Sequence, residues 1–235
     1  MSSIRFTRAL NHTSIQQRRY LIDLFLTFDF TNTRVLEIYT TRVARHKEFD
    51  REEVLEKAMT TFWRYGYEGT SMQNLVASMG INRGSLYDTF GDKRALFQSA
   101  IAHYENTRMK ELVAYLKAPG ASKPAIVDLF NSLVEQSNRD QESCGCFLTN
   151  TAIELCPQDA DTAKRIRTNL KNIEKAFKKT LINAREKGEI SNEGDLDAIS
   201  QYLTSSIQGL RVMVKVNQEP EFLKNIVRVI LLVLN

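Results

Sequence analysis

Three cysteines, Cys144, Cys146 and Cys156, lie close together in the chain, and thiols can serve as nucleophiles, metal ligands or redox sensors. Metal ligation needs a matched second pair of donors, and His12, His46 and His103 follow no metal-binding spacing. Thiol catalysis needs a partner base, yet no Ser-His-Asp order, phosphate-cradling glycine loop or paired-carboxylate motif is evident. The expectation is a binding protein rather than an enzyme, without metal or cofactor. Its cysteines then either sense electrophiles or fill space, with Cys146 as a small buried hydrophobe. An odd cysteine count argues against a secreted disulfide framework. The apolar run from Leu21 to Phe30, interrupted by Asp23 and Asp29, is too short to span a bilayer, so a cytoplasmic protein is expected.

A second group with chemistry to offer is Asn82, Arg83, Gly84, Ser85, Tyr87, Asp88 and Thr89. At about 100° per helical residue, Leu86 and Phe90 define an inward face. Gly84 and Asp88 then lie opposite, flanked by Ser85 and Tyr87, and this small, polar and aromatic surface suits a nucleic-acid groove. Gly84 costs a helix about 1 kcal/mol relative to Ala, and close approach to another molecule is a physical reason to keep it. Arg83 at the start of this segment and Lys93 just after it can hold phosphates on either side. The net charge of +4 is too mild to argue for nucleic acid by itself.

These residues need helices to hold them. Few prolines and glycines, with long runs of helix formers between them, predict an all-α fold. Asp50 followed by Glu53 looks like a capping box opening a helix over 50–65, with Val54, Leu55, Ala58, Phe62 and Tyr65 as its buried stripe and Gly66 as its stop. Thr70 with Gln73, or Ser71 itself, caps a second helix burying Met72, Leu75, Val76 and Met79. A turn at Gly80 and a short helix from Asn82 to Phe90 complete the dimensions of a helix-turn-helix.

The run G-Y-E-G-T-S-M-x-x-L-V followed by M-G-I-N-R-G-S-L-Y-D-T-F-G-D-K-R-A-L-F resembles the amino-terminal domain of the TetR family of bacterial repressors over residues 45–104. The resemblance implies DNA contacts at Thr70, Ser71, Asn82, Arg83, Gly84, Ser85, Tyr87, Thr89 and Lys93, with Tyr87 and Lys93 on backbone phosphates. Asp88 departs from the pattern, because a carboxylate facing DNA repels phosphate. A cytosine amino group is the natural partner for it, which predicts that Asp88 reads a cytosine. The expected organisation is a DNA-binding domain over 43–92 and an effector-binding and dimerisation domain over 93–235, linked by one helix over 93–116. In the resembling family that helix moves when ligand binds.

Further helices are predicted over 124–139, 146–155, 159–187, 195–216 and 219–234. On the penultimate one, Leu196, Ile199, Leu203, Ile207, Leu210 and Val214 face the core, while Tyr202, Ser206, Gly209 and Met213 permit close helix approach. The last is apolar nearly all round, with Phe222, Ile226, Val229 and Ile230 on the side expected to meet a second copy. An isologous dimer of this kind presents two reading helices to a palindromic operator. The segment S-C-G-C-F-L-T-N-T-A-I-E-L-C-P resembles a G-C-x-x-x-N-x-A-x-E stretch in one subgroup of the family, whose members respond to aromatic, quinone-like or electrophilic compounds. An effector pocket between the helices would be lined by Phe130, Leu133, Phe147, Asn150, Thr151, Phe177 and Tyr202, with Cys144 and Cys146 beside it. The expected function is a repressor released by a small molecule or reactive species. The alternatives are a helical adaptor or carrier without specific DNA binding, and a thiol-dependent enzyme.

Residues 1–42 differ from the rest: they hold six arginines and three acids and lack Lys, Gly, Pro and Trp. They read either as an arm whose arginines enter a minor groove or as a stretch upstream of a natural start at Val43.

Overall fold

Side-chain caps set where the helices begin. The computed structural model describes residues 49–139, 144–191 and 193–235, all within the compact unit Phe49–Asn235. The readings made for residues 1–42 lie outside the described residues. Asp50 accepts from the backbone N–H of Glu52 (2.8 Å) and of Glu53 (3.2 Å) and opens α1, Arg51–Tyr65. The reciprocal half of the expected box does not form, because Glu53 turns instead to Lys57, 2.6 Å away. Val54, Leu55, Ala58, Met59 and Phe62 form the buried stripe. Tyr65, assigned to that stripe by periodicity, is exposed; Met59 takes its place one turn from both Leu55 and Phe62.

The capping box of α2, Met72–Met79, pairs Ser71 with Asn74 rather than Thr70 with Gln73. Thr70 is not free to cap, since it is fully buried and its hydroxyl donates to the Gly66 carbonyl at 2.6 Å. Gly80 makes the turn into α3, Arg83–Phe90, which Asn82 caps by accepting from the Ser85 N–H at 2.8 Å.

The predicted unbroken helix over 93–116 is interrupted. An α-helix, α4 (Lys93–Tyr104), runs into a π-helical turn at Glu105–Met109 before α5 (Lys110–Leu116) resumes. Neither Gly nor Pro marks the site, because the cause is tertiary. The Arg165 guanidinium grips both carboxylate oxygens of Glu105 at 2.8 and 2.6 Å, and Asn169 Nδ2 donates to the same carboxylate at 2.6 Å. The Thr107 hydroxyl donates back to the His103 carbonyl at 2.8 Å, a bond that bends helices.

Then follow α6 (Lys123–Arg139), α7 (Phe147–Leu155), α8 (Ala160–Glu186), α9 (Leu196–Val216) and α10 (Pro220–Leu231), the last tightening into a 3-10 turn over Leu232–Leu234. The fold of the described residues is all-helical, as the sequence predicts. None of these helices is long and apolar enough to cross a membrane.

One hydrophobic core runs from α1 to α10. Its centre is an aromatic cluster: the Phe62 ring meets Phe97 edge-on at 5.0 Å, Trp63 meets Tyr104 at 5.2 Å, and Phe147 lies 5.7 Å from Phe97 and 5.6 Å from Tyr104. Edge-to-face pairs of this kind add about 0.5–1.5 kcal/mol each beyond the area they bury. Residues of α1, α4 and α7 are thereby held as one piece.

Candidate functional site

The helix-turn-helix displays its outer face because two side chains anchor the inner one. Leu86 and Phe90 are buried, which leaves Asn82, Arg83, Gly84, Tyr87 and Asp88 exposed and Ser85 and Thr89 half-buried at the edges. Arg83 lies along its own helix, with its guanidinium 5.7 Å from the Tyr87 ring and Nη2 donating to the Tyr87 hydroxyl at 3.4 Å. Both groups are therefore presented together, a cation beside a phenol, on one exposed surface. Ser71, exposed at the start of α2, belongs with them.

Two predicted contacts are placed differently. Thr70, being buried and hydrogen-bonded to Gly66, offers no side-chain atom to a partner and instead locks the turn before α2. Lys93 is half-buried, with its ammonium 4.4 Å from the centroid of the Tyr67 ring. Gly84 has open space around it: a Cβ there would meet only the Asn82 side-chain oxygen, at 3.2 Å. Inside the protein, that capping oxygen alone crowds a side chain at this position.

Behind the reading helix, the segment 144–154 is stitched to α1 and to the turn that follows it. Trp63 Nε1 donates to the Cys144 carbonyl at 3.1 Å, and Asn150 Nδ2 donates to the same oxygen at 3.0 Å. At the far end of α7, the Glu154 carboxylate accepts from the backbone N–H of Tyr67 (2.9 Å) and of Glu68 (2.8 Å). Gly66 is required here twice over. Its φ is +77°, and a Cβ on it would come within 2.9 Å of Glu154 Oε2. On α1, Glu56 receives His103 Nε2 at 2.7 Å and Arg108 at 3.2 Å, which ties α1 to α4 and to the π-helical turn.

A cavity of about 750 Å³ opens beside these ties, with Trp63, Tyr104, Leu112, Leu129, Leu133 and Cys144 among its walls. Leu133 and Cys144 were among the residues expected to line a pocket. Phe130 and Phe177 are not exposed to it; they stack on each other in the core, with ring centres 6.3 Å apart. Phe147 is buried in the aromatic cluster, Thr151 is buried with its hydroxyl unpartnered, and Asn150 is occupied by Cys144. Tyr202 projects into solvent instead, 41% exposed. Sequence reasoning missed Trp63, Tyr104 and Arg211, which line the cavity.

Cys146 is buried at the edge of this region, with the Tyr104 hydroxyl 3.7 Å from its sulfur. Burial opposes ionisation of the thiol, but the Arg211 guanidinium together with hydrogen bonds from Thr149 and Tyr104 outweighs it and holds Cys146 below the ordinary cysteine value. Cys156, by contrast, is pushed up by burial and by Asp159. No group of three metal-ligating side chains occurs among the described residues.

Elsewhere, α9 and α10 leave an apolar face uncovered. Tyr202, Phe222, Val229 and Leu232 are exposed large hydrophobes, with Ser206, Met213 and Ile226 half-buried and Gly209 exposed beside them. Ile230, assigned to this face from sequence, is buried within the protomer, on the stripe it shares with Leu223 and Val227.

The same architecture recurs in known proteins. Residues 54–100 match the family model described as bacterial regulatory proteins, tetR family. Residues 122–230 match the tetracyclin repressor-like C-terminal domain. The uncharacterized HTH-type transcriptional regulator YezE of Bacillus subtilis is 39% identical over 194 residues, covering 82% of this chain and all of that protein. The HTH-type transcriptional repressor ComR of Escherichia coli is 30% identical over 169 residues, covering 72% of this chain and 80% of its own. Among solved structures, a cysteine mutant of the TetR family transcriptional regulator CifR, complexed with 26-bp double-strand operator DNA, superposes with a TM-score of 0.72 at 25% identity, covering 81% of this chain and all of that one. An exposed reading helix anchored by Leu86 and Phe90, on a helical body that matches these regulators over most of its length, makes this chain a DNA-binding regulator of the TetR family.

Proposed function

We propose that the chain is a repressor that binds a palindromic operator as a dimer and lets go when a small molecule enters the cavity between α1, α4, α5, α6 and α9. The observation that carries this reading is the outer face of α3, where Gly84, Tyr87 and Asp88 stand exposed beside Arg83 and only the Asn82 oxygen would crowd a side chain at Gly84. The repressor ComR and the operator-bound CifR structure support it by likeness. Footprinting on DNA flanking the gene, with a salt series, tests it. A protected palindrome whose affinity falls steeply with salt is the expected result; binding no tighter than to random DNA would favour the adaptor reading.

Within that surface, Asp88 is assigned to a cytosine amino group. Asp88→Ala is expected to relax base preference at one position of each half-site by about 1–3 kcal/mol, while raising affinity for non-specific DNA through lost phosphate repulsion. Binding-site selection with both proteins reads this out, and an unchanged preference would remove Asp88 from the readout.

The uncovered face of α9 and α10 is assigned to the second copy, giving two reading helices about 34–36 Å apart, one turn of DNA, or a multiple of that. Val229→Asp, at a position 58% exposed in the protomer, is expected to leave the fold intact, yield monomers on size-exclusion chromatography with light scattering, and abolish tight operator binding. A dimer that survives this change would place the interface elsewhere.

A thiol signal is a second reading, favoured by the lowered pKa of Cys146 beside Arg211. Operator release by peroxide or a quinone that disappears in Cys146→Ser would support it.

A further inference from the structure

The cavity is lined by a cation that lacks a carboxylate partner. Arg211 of α9 reaches it; the groups that act on its guanidinium are Cys146, which also hydrogen-bonds it, and Tyr104, with no carboxylate of the described residues among them. Its Nη1 is shielded from solvent and has no hydrogen-bond partner. A shielded donor left without an acceptor is costly. Arg211, on the cavity wall with a donor to spare, is therefore placed to receive an acceptor carried by a bound molecule. We propose that the cavity is a receptor for a small organic mono-anion, a carboxylate or phenolate carried on an apolar body, with Arg211 as its anchor. This deepens the effector reading above and rests on it for the location of the site.

The rest of the lining sets the ligand's shape and charge. Trp63, Tyr104, Leu112, Leu129, Leu133 and Val214 supply apolar and aromatic walls, and a space of about 750 Å³ suits a body of roughly drug-like size. The other charges nearby do not substitute for the ligand. Glu56 is engaged by His103 and Arg108. Glu111 and Asp128 also line the cavity but are solvent-exposed, so water and salt screen them, whereas the shielded Arg211 is not screened. Arg64 and Arg108, which also line the cavity, are solvent-exposed like these carboxylates, so Arg211 is the least screened charge of the lining and matches a single negative charge on the ligand. Because Trp63 belongs to α1 and Arg211 to α9, an occupant touches both the element that carries the reading helix and the body.

Trp63 is the one tryptophan in the chain, so tryptophan emission, excited where the tyrosines do not absorb, reports on this cavity. The test titrates the full chain with 3-phenylpropionate and octanoate and with their neutral amides, 3-phenylpropionamide and octanamide. The expected result is a saturable change in Trp63 emission for the acids at concentrations at least tenfold lower than for the amides. That gap should close in Arg211→Met and persist, with weaker binding, in Arg211→Lys, the fold of each being checked by circular dichroism. Amides binding as well as acids, a folded Arg211→Met that keeps the preference, or no response to any acid at millimolar concentration would overturn the proposal. The acid–amide comparison on the unaltered chain decides it even where Arg211→Met does not fold. Gel shifts on the same samples separate the two readings: selective binding of the acid with the operator still bound supports the receptor and refutes release.

Discussion

Gly84→Ala is expected to weaken operator binding by about ten- to a hundredfold while leaving the chain folded, the loss corresponding to one or two displaced groove contacts at roughly 1–3 kcal/mol each. The reasoning separates two demands that usually coincide at a helical glycine. Inside the protein, Gly84 is the second residue of α3, with a Cβ direction open except for the Asn82 side-chain oxygen at 3.2 Å. Alanine there gains at most about 1 kcal/mol of helix propensity, less than in a helix interior. Against that stands a shift of a few tenths of an ångström in the Asn82 cap, which holds the Ser85 N–H. Stability should therefore change by less than about 1 kcal/mol in either direction. Outside the protein, the added methyl projects from the exposed face between Tyr87 and Asp88, where the backbone of α3 must come close to base edges if it enters the major groove. Anisotropy titrations at fixed salt, paired with thermal melts, give both numbers. Unaltered affinity would mean that the Gly84 side of α3 never meets DNA, and with it the reading of Asp88 would fall.

Much of this surface was legible in the sequence because the features that build it are local. Caps at Asp50, Ser71, Asn82 and Asp92, stops at Gly66 and Gly80, and the pair Leu86 and Phe90 each act within a turn or two of their own position. Where the sequence misled, the deciding contact came from far away. Thr70 looks like a cap or a DNA contact until the turn closes and its hydroxyl finds Gly66. The π-helical turn at Glu105–Met109 has no breaker residue; its determinants, Arg165 and Asn169, lie on α8. Phe130, Phe177 and Tyr202 were chosen for a pocket on chemistry alone, yet periodicity cannot say which aromatic packs on another and which reaches solvent. Arg211 gave no signal, since it reads as an ordinary helical arginine until Cys146 and Tyr104 are brought beside it. Ile230 and Val229 are neighbours in an almost uniformly apolar helix, and only the packing of α10 decides which of them turns inward.

Glu154 is the residue whose part was least visible and whose removal should be most widely felt. In sequence it is the last letter of a G-C-x-x-x-N-x-A-x-E stretch; in space its carboxylate reaches the turn between α1 and α2, 87 residues away from it in the case of Tyr67. The two N–H groups it accepts, from Tyr67 and Glu68, have no other partner among the described hydrogen bonds. Charge-assisted bonds of this kind contribute about 1.5–3 kcal/mol where partly buried, and the exposed Glu68 N–H falls back on water when its partner is lost. Glu154→Ala should therefore destabilise the fold by about 2 kcal/mol. Glu154→Gln, which keeps one acceptor oxygen, should cost less, about 1 kcal/mol. Denaturant melts measure both. The functional consequence follows from position. α7 is preceded by its N-cap Cys146, beside Arg211 and Tyr104, and carries Glu154 in its last turn, against the turn that Thr70 locks before α2. It is a rigid rod of nine residues between the cavity region and the DNA-reading helices. A ligand or a modified Cys146 that displaces the start of α7 displaces Glu154 with it. In Glu154→Ala that rod no longer grips the turn, so operator affinity should fall and, more tellingly, what remains should respond less to effector than in the unaltered chain. Full effector response in a folded Glu154→Ala protein would show that the signal travels instead through the other ties on α1, from Trp63 to the Cys144 carbonyl and from Glu56 to His103 and Arg108.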